Sequence, residues 1–332
     1  MTKVAINGLG RIGRAALKII LEKPQLELVA VNDLIPPESL AYLLRYDTVY
    51  GRYGQAIAAE QDALIIDGKH IQVSSQKDPA GLPWKQLGID IVLECTGHFT
   101  RREDLEKHLA AGARRVILSA PGKGSGIETV IFGTNPKLPD NPLMSCASCT
   151  TNCITPIIEI LGRRIGVQKA MLSTVHAYTG SQALVDGYSK KPRRGRAGAA
   201  NLVPTSTGAA IATTRVLPQY AGKFDGVAVR APVPAGSVAD VVVLTSRATS
   251  VEEVNAIFSE EAAGRRYHGI IGVTNDPLVS SDILGDDRAS IIDLGMTRVV
   301  DGDLVKVMSW YDNEWGYARQ MIRVTVALFS AK

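Results

Sequence analysis

Along the first third of the chain, short apolar runs alternate with segments whose apolar side chains recur every three to four residues. Val4-Ala5-Ile6-Asn7 has the apolar character of a buried strand, and after a glycine-rich turn RAALKIILEK repeats Ala, Leu and Ile at helical spacing. LELVAVN, which ends next to Asp33, then IVLECTG at 91–97 and RRVILSA at 114–120 read as further strands, with the periodic, charged REDLEKHLAAGA as a helix before the last of them. This alternation predicts a parallel, doubly wound α/β sheet. Ligands of such sheets lie beyond the carboxyl ends of the strands. Thr96, Gly97, Ser119 and Ala120 therefore fall where a dinucleotide would run, and their small side chains leave room for it.

The turn after the first strand is Gly8-Leu9-Gly10-Arg11-Ile12-Gly13, a G-x-G-x-x-G placed between strand and helix as a dinucleotide site requires. Gly8 permits the tight turn, Gly10 lets backbone approach a pyrophosphate, and Gly13 packs the helix against the strand. The helix start offers its N–H groups to the phosphates. Asp33, twenty residues past Gly13, stands where a carboxylate accepts hydrogen bonds from ribose hydroxyls.

At 332 residues the chain exceeds one comfortable core, so two domains are expected. Hydrophobic residues at 45% and charged residues at 21% describe a globular, water-soluble protein rather than a disordered or membrane-spanning one. MTKVAINGLG lacks the apolar stretch of a secretory signal, which predicts a cytoplasmic location. The net charge of +4 concentrates only in Lys190-Lys191-Pro192-Arg193-Arg194-Gly195-Arg196. With no aromatic residues interleaved, that segment predicts a solvated loop or a small-phosphate site and no nucleic-acid partner.

SCASCTTNC, residues 145–153, holds three of the four cysteines. Four are too few for a disulfide framework in a chain this long, and without a second C-x-x-C pair or a spaced Cys/His cluster no metal is expected. Cys95, in an apolar run, reads as a small buried hydrophobe. The run ITPIIEILGRRIG predicts a helix starting near Cys149 with Ser148 at its cap, and the dipole at a helix start favours a thiolate. Cys149 is thus the candidate nucleophile. Cys146 and Cys153 are the nearest thiols able to capture it after oxidation. Of five histidines, only His176 follows a strand-like segment, MLSTV, and precedes small polar residues suited to a site, so it is the candidate base.

AINGLGRIGR, LRYDTVYGRY, ECTG, SAPGKG, SCASCTTNC, TVHAYTG, PTSTGAA, PLVSSD and SWYDNEWGY follow one another over nearly the whole chain. Together they resemble the phosphorylating glyceraldehyde-3-phosphate dehydrogenases, enzymes of glycolysis. The resemblance implies a Rossmann NAD-binding domain over residues 1–148, an α+β catalytic domain over 149–312, a final helix over 313–332 that returns to the first domain, and a homotetramer. It implies that Arg11 and Ile12 hold the pyrophosphate and Asp33 the ribose. Lys77 is implied to lie near the adenosine, Ser119 near the nicotinamide ribose, and Asn313 to hold the nicotinamide amide. Cys149 and His176 become nucleophile and base. Thr179, Arg194 and Arg230 are implied to bind the substrate's phosphate, and Ser148, Thr150, Thr207, Gly208 and Arg230 the attacking inorganic phosphate.

Four positions depart from the family pattern: Cys146 where asparagine is common, Ser181 where an acid is usual, Gly187-Tyr188 where Leu-Pro is typical of strictly NAD-using members, and Ile211 where lysine is common. They leave NADP use open. They also keep open an erythrose-4-phosphate dehydrogenase, which PTSTGAA argues against, and a cofactor-binding redox regulator without turnover.

Overall fold

The computed structural model describes residues 1–135 and 137–330. The chain divides into two compact units. The first comprises Met1–Val130, Lys137–Ala147 and the chain from Met321 on; the second comprises Ser148–Gln320 together with residues 131–135. The closing helix, Trp315–Ser330, changes unit at Met321.

The first unit is built on a nine-stranded sheet. Its centre is Thr2–Asn7, paired in parallel with Leu26–Asn32 on one side and Ile91–Glu94 on the other. Arg115–Leu118, Leu143–Ser145 and Glu128–Thr129 extend one edge in parallel, and Lys69–Ser74 continues the other. Ala63–Ile66 and Ile57–Glu60 close that second edge antiparallel. The strand order reverses about Thr2–Asn7, which makes the carboxyl ends of that strand and Ile91–Glu94 the switch point where such sheets bind ligands. The expected parallel α/β sheet is present, and LELVAVN forms the strand predicted for it. Helix Arg11–Leu21 buries Ala15, Ala16, Leu17, Ile19 and Ile20, the apolar stripe of the sequence.

The second unit carries a seven-stranded mixed sheet in the order Val203–Ser206, Phe224–Ala231, Val167–Ala177, Ser237–Thr245, Leu304–Tyr311, Ser290–Val300, Ile271–Thr274. Its core joins Ile154, Ile157, Ile158 and Leu161 of helix Cys149–Arg164 and Val254, Ile257 and Phe258 of helix Val251–Ala263 to Leu172, Val241, Val243, Val305 and Val307 of the strands. Each such side chain contributes about 1.5–3 kcal/mol on burial. Lys169, Met171, Ser173 and Val175 alternate with these buried positions and point to the other face. Two strands of this sheet, Val167–Ala177 and Phe224–Ala231, run parallel with His176 paired to Arg230.

Candidate active site

In the first unit the glycine turn is shaped by close approach. Gly8 has φ +92°, and a Cβ there would lie 2.8 Å from the Thr96 nitrogen; a Cβ on Gly13 would lie 2.0 Å from the Gly8 carbonyl oxygen. Both positions must be glycine for strand, turn and helix to meet. Gly10 differs: it caps helix Arg11–Leu21 without a side-chain bond, and a Cβ on it would meet nothing within 4 Å. The helix start is therefore open to solvent, with room for a pyrophosphate at its N–H groups. Asp33 follows strand Leu26–Asn32, with Oδ2 accepting from the Leu9 N–H at 2.7 Å and Oδ1 from the Ile35 N–H at 3.1 Å, which holds the carboxylate beside the turn. These residues fit a dinucleotide. The Arg11 guanidinium is paired with Asp47 at 2.5 Å, which leaves the backbone N–H groups at the helix start as the donors facing open space. Ile12, Thr96 and Ser119 are half-buried and Lys77 is exposed.

Glu94, which no motif singles out as a site residue, fixes this rim. Glu94 is fully buried and accepts from Asn7 Nδ2 (2.6 Å), the Thr96 N–H (2.8 Å) and Thr96 Oγ1 (2.5 Å). His108, also fully buried, accepts at Nδ1 from Trp84 Nε1 at 3.0 Å. Indole can only donate, so the His108 proton sits on Nε2 and goes to Glu94 at 3.1 Å. An acid in the apolar run IVLE was the signal: a buried carboxylate needs partners. His108 is thus a structural histidine, although its helix is charged.

In the second unit Ser148 caps the cysteine helix as expected, its Oγ accepting from the Thr151 N–H at 3.1 Å. Cys149 opens the helix with its Sγ 3.3 Å from His176 Nε2. His176 lies within the end of strand Val167–Ala177 rather than after it. Its Nδ1 is 2.7 Å from the Ala177 carbonyl oxygen and 2.6 Å from Arg230 Nη1, which also donates to that carbonyl at 2.9 Å. Arg230 Nε is buried without a hydrogen-bond partner. Arg194 donates from Nε to Thr205 Oγ1 at 2.9 Å, and its charge and that of Arg230 both act on His176.

Opposing effects act on the Cys149 thiol: burial pushes it up from its ordinary 9.0, while the Arg230 charge and the N–H of Thr150 pull it down. Burial, and then the Arg230 charge, push His176 down to about 3. Burial also raises Cys146 and Cys153, each to about 12.

The other expected residues take these places. Thr179 is half-buried with its hydroxyl 2.9 Å from Ser181 Oγ, and Thr207 Oγ1 accepts from the Ala209 N–H at 3.2 Å beside exposed Gly208, the cap of helix Ala209–Val216. Thr150 is buried, its hydroxyl 2.9 Å from Tyr311 OH. Tyr311, missed in the sequence, also bonds Thr174 at 2.8 Å and meets the His176 ring edge-on. Among the described residues there is no group of three or more His, Cys, Asp or Glu that could hold a metal, and no helix long and apolar enough to cross a membrane.

A glycine cradle on a parallel sheet and a Cys–His pair flanked by arginine on a second sheet define the class, a dinucleotide-dependent oxidoreductase. Residues 2–102 match the family model of the glyceraldehyde 3-phosphate dehydrogenase NAD binding domain, and 148–313 that of the C-terminal domain. The chain is 48% identical to the glyceraldehyde-3-phosphate dehydrogenase of Thermotoga maritima over 97% of each chain. It is 46% identical to glyceraldehyde-3-phosphate dehydrogenase 2 of Streptomyces avermitilis over 98% of this chain and 97% of that one. The chain belongs to the glyceraldehyde-3-phosphate dehydrogenase family of NAD-dependent oxidoreductases.

Proposed function

We propose that this chain catalyses the reversible phosphorylating oxidation of glyceraldehyde 3-phosphate to 1,3-bisphosphoglycerate, with Cys149 as nucleophile and His176 as base. The observation that carries the roles is the 3.3 Å Sγ–Nε2 contact at a helix N-terminus beside Arg230. As Cys149 Sγ attacks the aldehyde carbon, His176 Nε2 takes the thiol proton, and the neutral imidazole whose own proton is on Nδ1, toward the Ala177 oxygen, is the form able to do so. The thiohemiacetal oxyanion is stabilised by the N–H of Cys149 and by the protonated His176. When bound, the dinucleotide supplies the hydride acceptor that the oxidation requires. Oxidation leaves a thioester on Cys149, and attack by inorganic phosphate releases the acyl phosphate.

Two anions need places. Thr179, Arg194 and Arg230 bind the substrate phosphate; Ser148, Thr150, Thr207, Gly208 and Arg230 bind the attacking one. The unpartnered Nε of Arg230 and the open helix start at Gly208 support this. NAD is the working cofactor with appreciable use of NADP, since Asp33 repels a 2′-phosphate while exposed Lys77 can accommodate it. Gly8, Gly10, Arg11, Ile12, Gly13, Asp33, Thr96 and Ser119 line the cofactor in the first unit, and Asn313 holds the nicotinamide amide. A NAD(P)-binding domain on the first unit, to which the chain returns at Met321 rather than at 313, and a catalytic domain on the second, Ser148–Gln320, complete the reading, with cytoplasmic residence and a homotetrameric assembly. The exposed sheet face of the second unit supports self-association, with Met171 57%, Val227 53% and Val175 44% exposed.

The test is reduction of NAD with glyceraldehyde 3-phosphate and phosphate, compared with erythrose 4-phosphate. A preference of at least about ten-fold in kcat/KM for the triose is expected. An equal or better tetrose would overturn the substrate.

A further inference from the structure

Asn313 sits at the end of strand Leu304–Tyr311, and its backbone is pinned by its neighbour. Asp312 is buried and accepts from the N–H groups of Glu314 and Trp315 with Oδ1 and of Gly285 with Oδ2, all at 2.8 Å. Those bonds fix the chain but do not decide which way the Asn313 amide faces. Two other donors do. The Gly236 N–H reaches Asn313 Oδ1 at 3.0 Å and Ser237 Oγ reaches it at 2.9 Å. Position 236 must be glycine, with φ +85° and a Cβ that would fall 2.1 Å from the Ser280 carbonyl oxygen.

The Ser237 bond has a forced direction. Ser237 is buried, and its Oγ also lies 3.2 Å from the Ala177 N–H, which can only donate. The single hydroxyl proton must therefore go to Asn313. With two donors on Oδ1, the amide can present only Nδ2 outward, and Nδ2 makes no hydrogen bond among the described residues. The same hydroxyl holds Ala177, whose carbonyl lies 2.7 Å from His176 Nδ1. One buried oxygen thus ties the residue that orients the catalytic imidazole to the amide at the end of the neighbouring strand.

We propose that Ser237 is a positioning residue for cofactor recognition: with the Gly236 N–H it locks the Asn313 amide so that Nδ2 faces the nicotinamide carboxamide as a donor. The proposal rests on the reading that Asn313 holds that carboxamide. Without the Ser237 hydroxyl, Asn313 Oδ1 keeps one donor and the amide is freer to flip, presenting an acceptor to the carboxamide oxygen. The cost falls only on ligands that carry the nicotinamide.

Calorimetric titration of NAD and of ADP-ribose, the same ligand without nicotinamide, separates these roles in the full-length protein. In Ser237→Ala we expect NAD to bind about five-fold more weakly, the loss of one neutral hydrogen bond, with ADP-ribose affinity unchanged. Ser237→Thr, which keeps the hydroxyl, is expected to restore the difference between the two ligands. Asn313→Ala serves as the control. If it narrows the gap between NAD and ADP-ribose while Ser237→Ala does not, the proposal falls and the reading of Asn313 stands. If Asn313→Ala leaves the gap unchanged, that reading fails and the proposal with it. An equal loss of both ligands in Ser237→Ala would mark a merely structural hydroxyl and would also overturn it.

Discussion

His176 Nδ1 has two neighbours that cannot both use it in the same way. A guanidinium can only donate, so contact with Arg230 makes Nδ1 an acceptor and leaves the neutral ring's proton on Nε2, facing Cys149. The ring can take the thiol proton only when Nδ1–H turns to the Ala177 oxygen. An anion that draws Arg230 away favours this form and lessens the repulsion that lowers the imidazole pKa. We therefore expect the His176 ring, followed by nitrogen NMR, to stay neutral well below its ordinary 6.5 and to titrate higher once inorganic phosphate is added. Unchanged titration would remove Arg230 from this role. The depressed value has a stability consequence: the unfolded chain binds a proton at this histidine below pH 6.5 and the folded one does not until about 3. Stability is thus intact above 6.5 and falls as pH drops toward 3. Urea unfolding at pH 7 and pH 5 should show a smaller loss for His176→Asn than for the parent. In turnover, Cys149→Ser should abolish phosphorylating oxidation with NAD binding retained, and His176→Asn should lower kcat by about 10²- to 10⁴-fold. Near-parental activity in either variant would sink its assignment.

Among elements, the glycine turn allows a sharp contrast. Gly13→Ala puts a methyl group into the Gly8 carbonyl and should cost about 1–3 kcal/mol of stability, read as a lower melting temperature. Gly10, with φ −66° and open space at its Cβ, should accept alanine within about 0.5 kcal/mol. The new methyl would stand in the cradle, so NAD should bind at least about ten-fold more weakly, or ~1.4 kcal/mol. Unchanged NAD affinity in Gly10→Ala would place the pyrophosphate elsewhere. This turn was legible because its chemistry is local: strand, three glycines, helix and Asp33 fall within 33 residues. The cysteine helix and its Ser148 cap were legible for the same reason. What joins His176 to Arg230 was not, because they lie 54 residues apart and meet only through the pairing of two strands. Nor does a sequence show that Tyr311 and Glu94 turn their polar ends into buried networks.

At the scale of the whole molecule, the exposed face of the seven-stranded sheet is the feature to explain. The strand register sets Ser173 beside Val227 and Val175 beside Val229, so Met171, Val175 and Val227 gather on one side while the helices cover the other. If the proposed homotetramer packs through this face, Val227→Asp should give smaller species than the parent in sedimentation velocity while leaving NAD titration unchanged. A parental sedimentation coefficient would show that this face is not the interface. The register also governs where the chain tolerates a change of length. Residues added near exposed Gly187, in the connection between the histidine strand and Phe224–Ala231, lengthen that connection and leave the facing pair alone. Removing one residue inside either strand slides every later position to the opposite face and separates base from cation. Insertions at 187 should therefore retain far more turnover than single deletions at Ser173 or Val227, and the reverse order would show that the pairing is not what holds the site together.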